Sequence, residues 1–212
     1  MGENFESAVD GAGRGRNGGR MSATFLHHDR PLLTTMIQTE ETQKAIKTIH
    51  KAIEEGTDAF GLQTCRLKPE YRTEAVYRSI FAEMQDKPVY VINYRLGSNE
   101  GKSDDELARG MITLANAGAT LIDVMGDLFC KTPGELTTDA AAVEKQKRLI
   151  DTLHELGAEV PYLFLSGGEC HLHRMIGPML GCCMYLCVQE HDELSTKSQP
   201  LLHKVKAVLD HF

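Results

Sequence analysis

Apolar and polar positions along the chain switch repeatedly between a short-run pattern and a helical one. Pro31 to Gln38 is a short apolar run, and residues 42–55 then carry Ala45, Ile46, Ile49, Ala52 and Ile53 at helical spacing, stopped by Gly56. The alternation continues: Ala59 to Arg66 predicts a second strand, Glu74 to Gln85 a helix, and Pro88 to Arg95 (PVYVINYR) a third strand. Ser103 and Glu106 have the S-x-x-E spacing that satisfies the free N–H groups of a helix start, with Leu107, Met111, Leu114 and Ala115 as the apolar face that follows. Ala119 to Met125 predicts the fourth strand. Residues 139–156 give the clearest helix, with Val143, Leu149, Ile150, Leu153 and Leu156 on one side. Tyr162 to Ser166 predicts a fifth strand, 171–180 a helix, Cys182 to Val188 a sixth strand, and Leu201 to Leu209 a closing helix.

Strands alternating with helices imply a parallel sheet covered by helices, since a parallel crossover needs a helix. A (β/α)8 barrel and an open doubly wound sheet both satisfy this. No G-x-G-x-x-G lies between a first strand and its helix, so the dinucleotide-binding form of the open sheet has no support. In a barrel, functional side chains gather at the C-terminal strand ends, where Gln63, Arg66, Asn93, Arg95, Asp123, Ser166 and Gln189 stand. Six units are two short of a full barrel.

Composition narrows the class. A chain of 212 residues, 42% hydrophobic and 25% charged, has material for one sizeable core. Residues 1–20, rich in Gly and Arg without apolar periodicity, read as a disordered extension, and 21–212 as a single α/β barrel-like domain. A net charge of −7 with no basic stripe argues against nucleic acid, and no apolar run reaches the ~18 residues of a membrane span. The N-terminus lacks a secretory core, so a cytoplasmic location is expected. The six cysteines lie unevenly and mostly in apolar runs, as reduced core thiols do. His27 and His28 are expected at the surface.

Three stretches carry candidate chemistry. Arg95 to Glu106 (RLGSNEGKSDDE) puts a cation and Glu100 in a tight loop at a strand's mouth. Gly167 and Gly168 before a helical pattern with Arg174 suit an anion, because a helix start offers free N–H groups and the arginine a bidentate cation. Ser195 and Gln199 (STKSQ) form a further polar set. Glu169, Cys170, His171 and His173 are metal-ligand types, but no second ligand pair accompanies them, so no metal site is expected.

Together these pieces resemble type I 3-dehydroquinate dehydratase, the Schiff-base-forming enzyme of the shikimate pathway of aromatic amino acid biosynthesis. VINYRLGSNEG is similar to the family's strand ending in Arg and followed by an E-G loop, and HLHRMIGPMLGCCMYL to its R-x-x-G stretch, with Arg174 and Gly177 in place. STKSQ keeps an S-x-x-x-Q spacing. GLQTCR is looser: the family has E-x-R, whereas Gln63 is followed here by Cys65 and Arg66. The resemblance implies a (β/α)8 barrel that eliminates water from a small cyclic hydroxy acid without metal or added cofactor. It implies that Arg95, Arg174, Ser195 and Gln199, with Arg66 and Gln63 as weaker matches, hold the substrate, and that Glu100 orients a catalytic histidine. The histidine and the Schiff-base lysine belong to the family's fifth and sixth strands, for which this sequence has no match. Gly157 to Val160 runs directly into PYLFLSGG, which resembles the seventh strand. The barrel is therefore expected to be incomplete, with about six βα units at ~31 residues each, and weakly active or inactive. A non-catalytic binder of an anionic hydroxy acid is the alternative, and an open sheet edge would favour a homodimer.

Overall fold

The computed structural model describes residues 23–26, 28–132 and 139–160 and, as a strand, 188–189. Four strands, β1 (Thr34–Ile37), β2 (Ala59–Gln63), β3 (Val89–Ile92) and β4 (Leu121–Asp123), alternate with four helices, α1 (Thr42–Glu54), α2 (Glu74–Ala82), α3 (Asp104–Ala117) and α4 (Ala140–Glu155). A fifth strand, β5 (Val188–Gln189), completes a sheet of order β4-β3-β2-β1-β5 in which every pairing is parallel.

That order separates the two architectures left open by the sequence. After α4 the chain pairs Glu159 in parallel with Leu121, on the outer edge of β4. β5 lies on the opposite side, against β1, with Thr35 opposite Val188. Strands therefore add in one direction from β1 to β4 and onward, and the last described strand returns to the first, as in a barrel. The expected fifth strand at Tyr162–Ser166 falls outside the described residues, as do 1–20 and the helices expected over 171–180 and 201–209.

Register assigns the two faces of the sheet. Ile37, Leu62, Val91 and Ile122 are aligned across β1 to β4 and face the helices. There they bury with Ala45 and Ile49 of α1, Tyr77 and Ile80 of α2, Leu107, Met111 and Leu114 of α3, and Leu149 and Leu153 of α4. Burying one such aliphatic side chain contributes about 1.5–3 kcal/mol. The other face, which lines the interior of a barrel, carries two aligned rows: Met36, Gly61, Tyr90 and Leu121, then Gln63, Ile92 and Asp123 nearer the C-terminal ends. Gly61 leaves room for Met36, whose Cε would lie 2.6 Å from a Cβ added there.

At the N-terminal end of the strands Phe25 is fully buried with Leu32, Ala59, Leu121 and Tyr90. Its N–H donates to Glu159 Oε2 at 3.0 Å, and Thr24 Oγ1 donates to Oε1 of the same carboxylate, which ties the start of the described chain to the edge of β4. Arg30 grips Asp58 with both Nη atoms, at 2.8 and 2.7 Å, and Leu33 N–H donates to the same carboxylate. Burial acts to raise the Asp58 carboxyl's pKa, but the hydrogen bonds from Arg30 and Leu33 more than reverse that and hold it below its ordinary value.

Helix starts follow the sequence closely. Ser103 Oγ accepts from Glu106 N–H at 3.3 Å while Glu106 Oε2 accepts from Ser103 N–H at 2.8 Å, so the capping box forms. Thr73 Oγ1 and Asp139 Oδ1 cap α2 and α4 with single bonds, accepting from Val76 N–H and Ala142 N–H. Two expectations are corrected. Val143 belongs not to the buried side of α4 but to its exposed surface, with 41% of its area accessible. The second strand ends at Gln63, and Thr64–Arg66 turn away as a 3-10 helix because Thr64 Oγ1 reaches across to the Ile92 carbonyl at 2.9 Å. His28 is exposed, and Cys65 and Cys130 are free thiols, Cys65 buried.

Candidate functional site

The C-terminal ends of β2, β3 and β4 bring three polar groupings together. The innermost is built on Asp123, the last residue of β4 and fully buried. Tyr90 Oη donates to Asp123 Oδ2 at 2.8 Å, and Tyr94 Oη donates to the same oxygen. Among the described residues Oδ1 has no hydrogen-bond partner, nor does Gln63 Oε1, which is buried on the same face. Register puts Ile92 between these two residues, so they stand two strands, roughly 9–10 Å, apart. Burial pushes the Asp123 carboxyl up, against the pull of the two tyrosine hydroxyls, and burial followed by Asp123 raises the Tyr90 hydroxyl well above its ordinary value.

Behind this layer a buried amide cluster shapes the loop after β3. Asn93 Oδ1 accepts from Thr64 Oγ1, Arg72 Nη2 and Asn99 Nδ2 at 3.1, 2.8 and 2.8 Å, and Asn93 Nδ2 donates to the Leu107 carbonyl. Asn99 Nδ2 also donates to the Tyr94 carbonyl at 2.8 Å, which fixes the turn that leads to Glu100. Gly97 lies at φ +58, with the Cys65 carbonyl 2.5 Å from where a Cβ would be, so this turn demands glycine. Lys102, in the same loop, has its ammonium pKa lowered by burial and by the Arg72 charge.

The third grouping surrounds Arg95. Its Nε and Nη2 donate to Asp104 Oδ1 at 2.9 and 2.7 Å, and Nη1 donates to Asp127 Oδ2 at 2.7 Å. Nη2 also reaches the Asp127 carbonyl at 3.3 Å, and Nη1 the Met125 sulfur at 3.8 Å. Those five contacts match the five N–H groups of a guanidinium. Burial lowers the Arg95 pKa, but Asp127 and Asp104 more than compensate and hold it above its ordinary value.

Of the residues singled out in the sequence, Gln63 and Arg95 come to the same end of the sheet, Arg95 bound by two carboxylates of its own chain. Arg66 and Glu100 are exposed on the neighbouring turns. Arg174, Ser195 and Gln199 lie outside the described residues. The sequence reading missed Tyr90, Tyr94, Asp104 and Asp127. Asp127 had a signal, as an acid a few residues beyond a strand end, but its pairing with Arg95 links positions 32 residues apart. Among the described residues no group of three or more His, Cys, Asp or Glu side chains could hold a metal ion, and no helix is long and apolar enough to cross a membrane.

Parallel strands in sequential order, each followed by a helix, with polar groups collected at the C-terminal ends, define an α/β protein of the (β/α)8 barrel type with an incomplete barrel. Its fold is like that of 3-dehydroquinate dehydratase from Geobacillus kaustophilus HTA426, with a TM-score of 0.50, 11% identity, and coverage of 64% of this chain and 50% of that one. The enzymes of that name from Clostridium difficile (type I; TM-score 0.49, 15% identity, 64% and 50% covered) and Enterococcus faecalis (0.47, 12%, 65% and 56%) are also similar. The chain thus spans about half the length of these structures. No protein-family model and no curated protein matches the sequence.

Proposed function

We propose that this chain is a 3-dehydroquinate dehydratase-like protein that holds a small cyclic hydroxy acid at the C-terminal strand ends and turns it over weakly or not at all. The observation that carries this reading is the polar set on the interior face: two buried acceptor atoms, on Gln63 and Asp123, without partners among the described residues, at the same end of the sheet as Arg95. Ligand hydroxyls satisfy such acceptors, and an arginine receives a carboxylate. The family reaction eliminates water from 3-dehydroquinate to give 3-dehydroshikimate. A lysine forms an imine with the ketone, and a histidine removes the α-proton and returns it to the departing hydroxyl. This sequence has no counterpart of either residue in the strand motifs that supply them. Lys68, which follows the second strand, lies 3.5 Å from Glu41 at the surface rather than in an apolar pocket.

Removing the general base alone costs about 10²- to 10⁴-fold in rate, so binding outlasts catalysis. Arg174 is assigned, together with Arg95, to the ligand's carboxylate. Titration calorimetry with quinate is expected to give heat with the parent chain and none with Arg174→Ala. Absence of heat in the parent and in Asp127→Asn alike would remove the reading.

A further inference from the structure

Arg95 is saturated, yet its two acidic partners hold it differently. Asp104 is the first residue of α3, where the helix start favours a negative charge. Its Oδ1 takes both Nε and Nη2 of Arg95, and its Oδ2 accepts the Phe129 N–H at 2.6 Å. Asp127 belongs to the turn after β4 and meets the guanidinium twice, its Oδ2 accepting from Nη1 at 2.7 Å and its backbone carbonyl from Nη2 at 3.3 Å.

That turn is tied at several points. Gln146 Nε2 of α4 donates to the Met125 carbonyl at 2.9 Å, and Lys145 Nζ lies 4.6 Å from the centre of the Phe129 ring while pairing with Asp105 at 2.6 Å. Phe129 has φ +68, a left-handed conformation that costs a bulky residue energy and persists only where surrounding contacts impose it. Arg95 holds the same turn through the Asp127 carboxylate and carbonyl.

We propose that Asp127 is an internal stand-in for the ligand's carboxylate: it occupies the Nη1 edge of Arg95, an incoming hydroxy acid displaces it, and the exchange releases the turn 126–130. Asp104 stays in place and aims the guanidinium. The turn then reports on the site's occupancy, and Asp127 sets the threshold a ligand must pass: an acid must outcompete it, and a neutral polyol leaves it undisturbed. This rests on the hydroxy-acid reading, and the experiment separates the two.

Quinate binding is measured by calorimetry for the parent, Asp127→Asn and Asp127→Ala, with amide hydrogen exchange of 126–130 followed with and without quinate. The Asn variant keeps an acceptor and the fold, so a folding defect in the Ala variant does not obscure the result. Both variants are expected to bind about 5- to 100-fold more tightly than the parent, and quinate is expected to speed exchange of 126–130 in the parent. Binding by the variants alone supports the proposal in its strongest form. Parent binding as tight as that of Asp127→Asn, or unchanged exchange on saturation, overturns it and leaves the hydroxy-acid reading intact. No binding by any of the three removes both.

Discussion

Asp123 shows how a single residue's surroundings set its chemistry. Its carboxyl is fully buried, with two tyrosine hydroxyls on one oxygen, and burial raises its pKa above the ordinary value of about 3.9. The folded chain therefore binds this proton more tightly than the unfolded chain does. Stability from this group is fully present below the unfolded pKa and falls as pH rises toward the folded value. Asp123→Asn, neutral at every pH, escapes that loss. Relative to the parent, its urea midpoint is expected to rise between pH 4 and pH 7.5; a constant difference would show that burial leaves the carboxyl's pKa where it is in the unfolded chain. In the sequence Asp123 was visible only as one polar strand ending among several. Its partners stand about thirty residues earlier, and Tyr90 reads there as an ordinary strand aromatic. Glu100, the carboxylate that motif spacing singled out, is exposed, whereas the acids that bind Arg95 are Asp104 and Asp127. Motif spacing located the arginine, but three-dimensional pairing chose its partners.

Local chemistry explains why whole elements were easier to read. Helical spacing and caps act within a few residues, so Ser103, Glu106 and the buried face Leu107, Met111 and Leu114 were all legible in advance. Ser103→Ala is expected to lower stability by about 1 kcal/mol in chemical denaturation; an unchanged midpoint would mean that α3 does not depend on its cap. Strand ends were less legible because an extended apolar run does not mark where pairing stops. Both β2 and β3 end three residues before the expected arginine, at Gln63 and Ile92. In each case the chain turns where a side chain captures a backbone group, Thr64 on the Ile92 carbonyl and Asn99 on the Tyr94 carbonyl. Val143 has helical spacing like its neighbours, but the surface of α4 at that position faces solvent.

At the scale of the molecule, sequential parallel strands running from β1 to β4, with Glu159 continuing beyond β4 and β5 returning to β1, make a barrel-type sheet. The alternation of runs and helices foretold its class. The direction in which strands add was not legible, since the open sheet and the barrel share that alternation. The proposed loss of activity rests on the passage from Val160 to Pro161, where the sequence resemblance finds no counterpart of the strands that carry the lysine and histidine of type I 3-dehydroquinate dehydratases. Intact-mass spectrometry after borohydride reduction in the presence of 3-dehydroquinate tests the central claim most directly, since a reduced imine marks any lysine competent for the family chemistry. No covalent adduct is expected. A stoichiometric adduct on any lysine, including Lys102 with its lowered pKa, would contradict it.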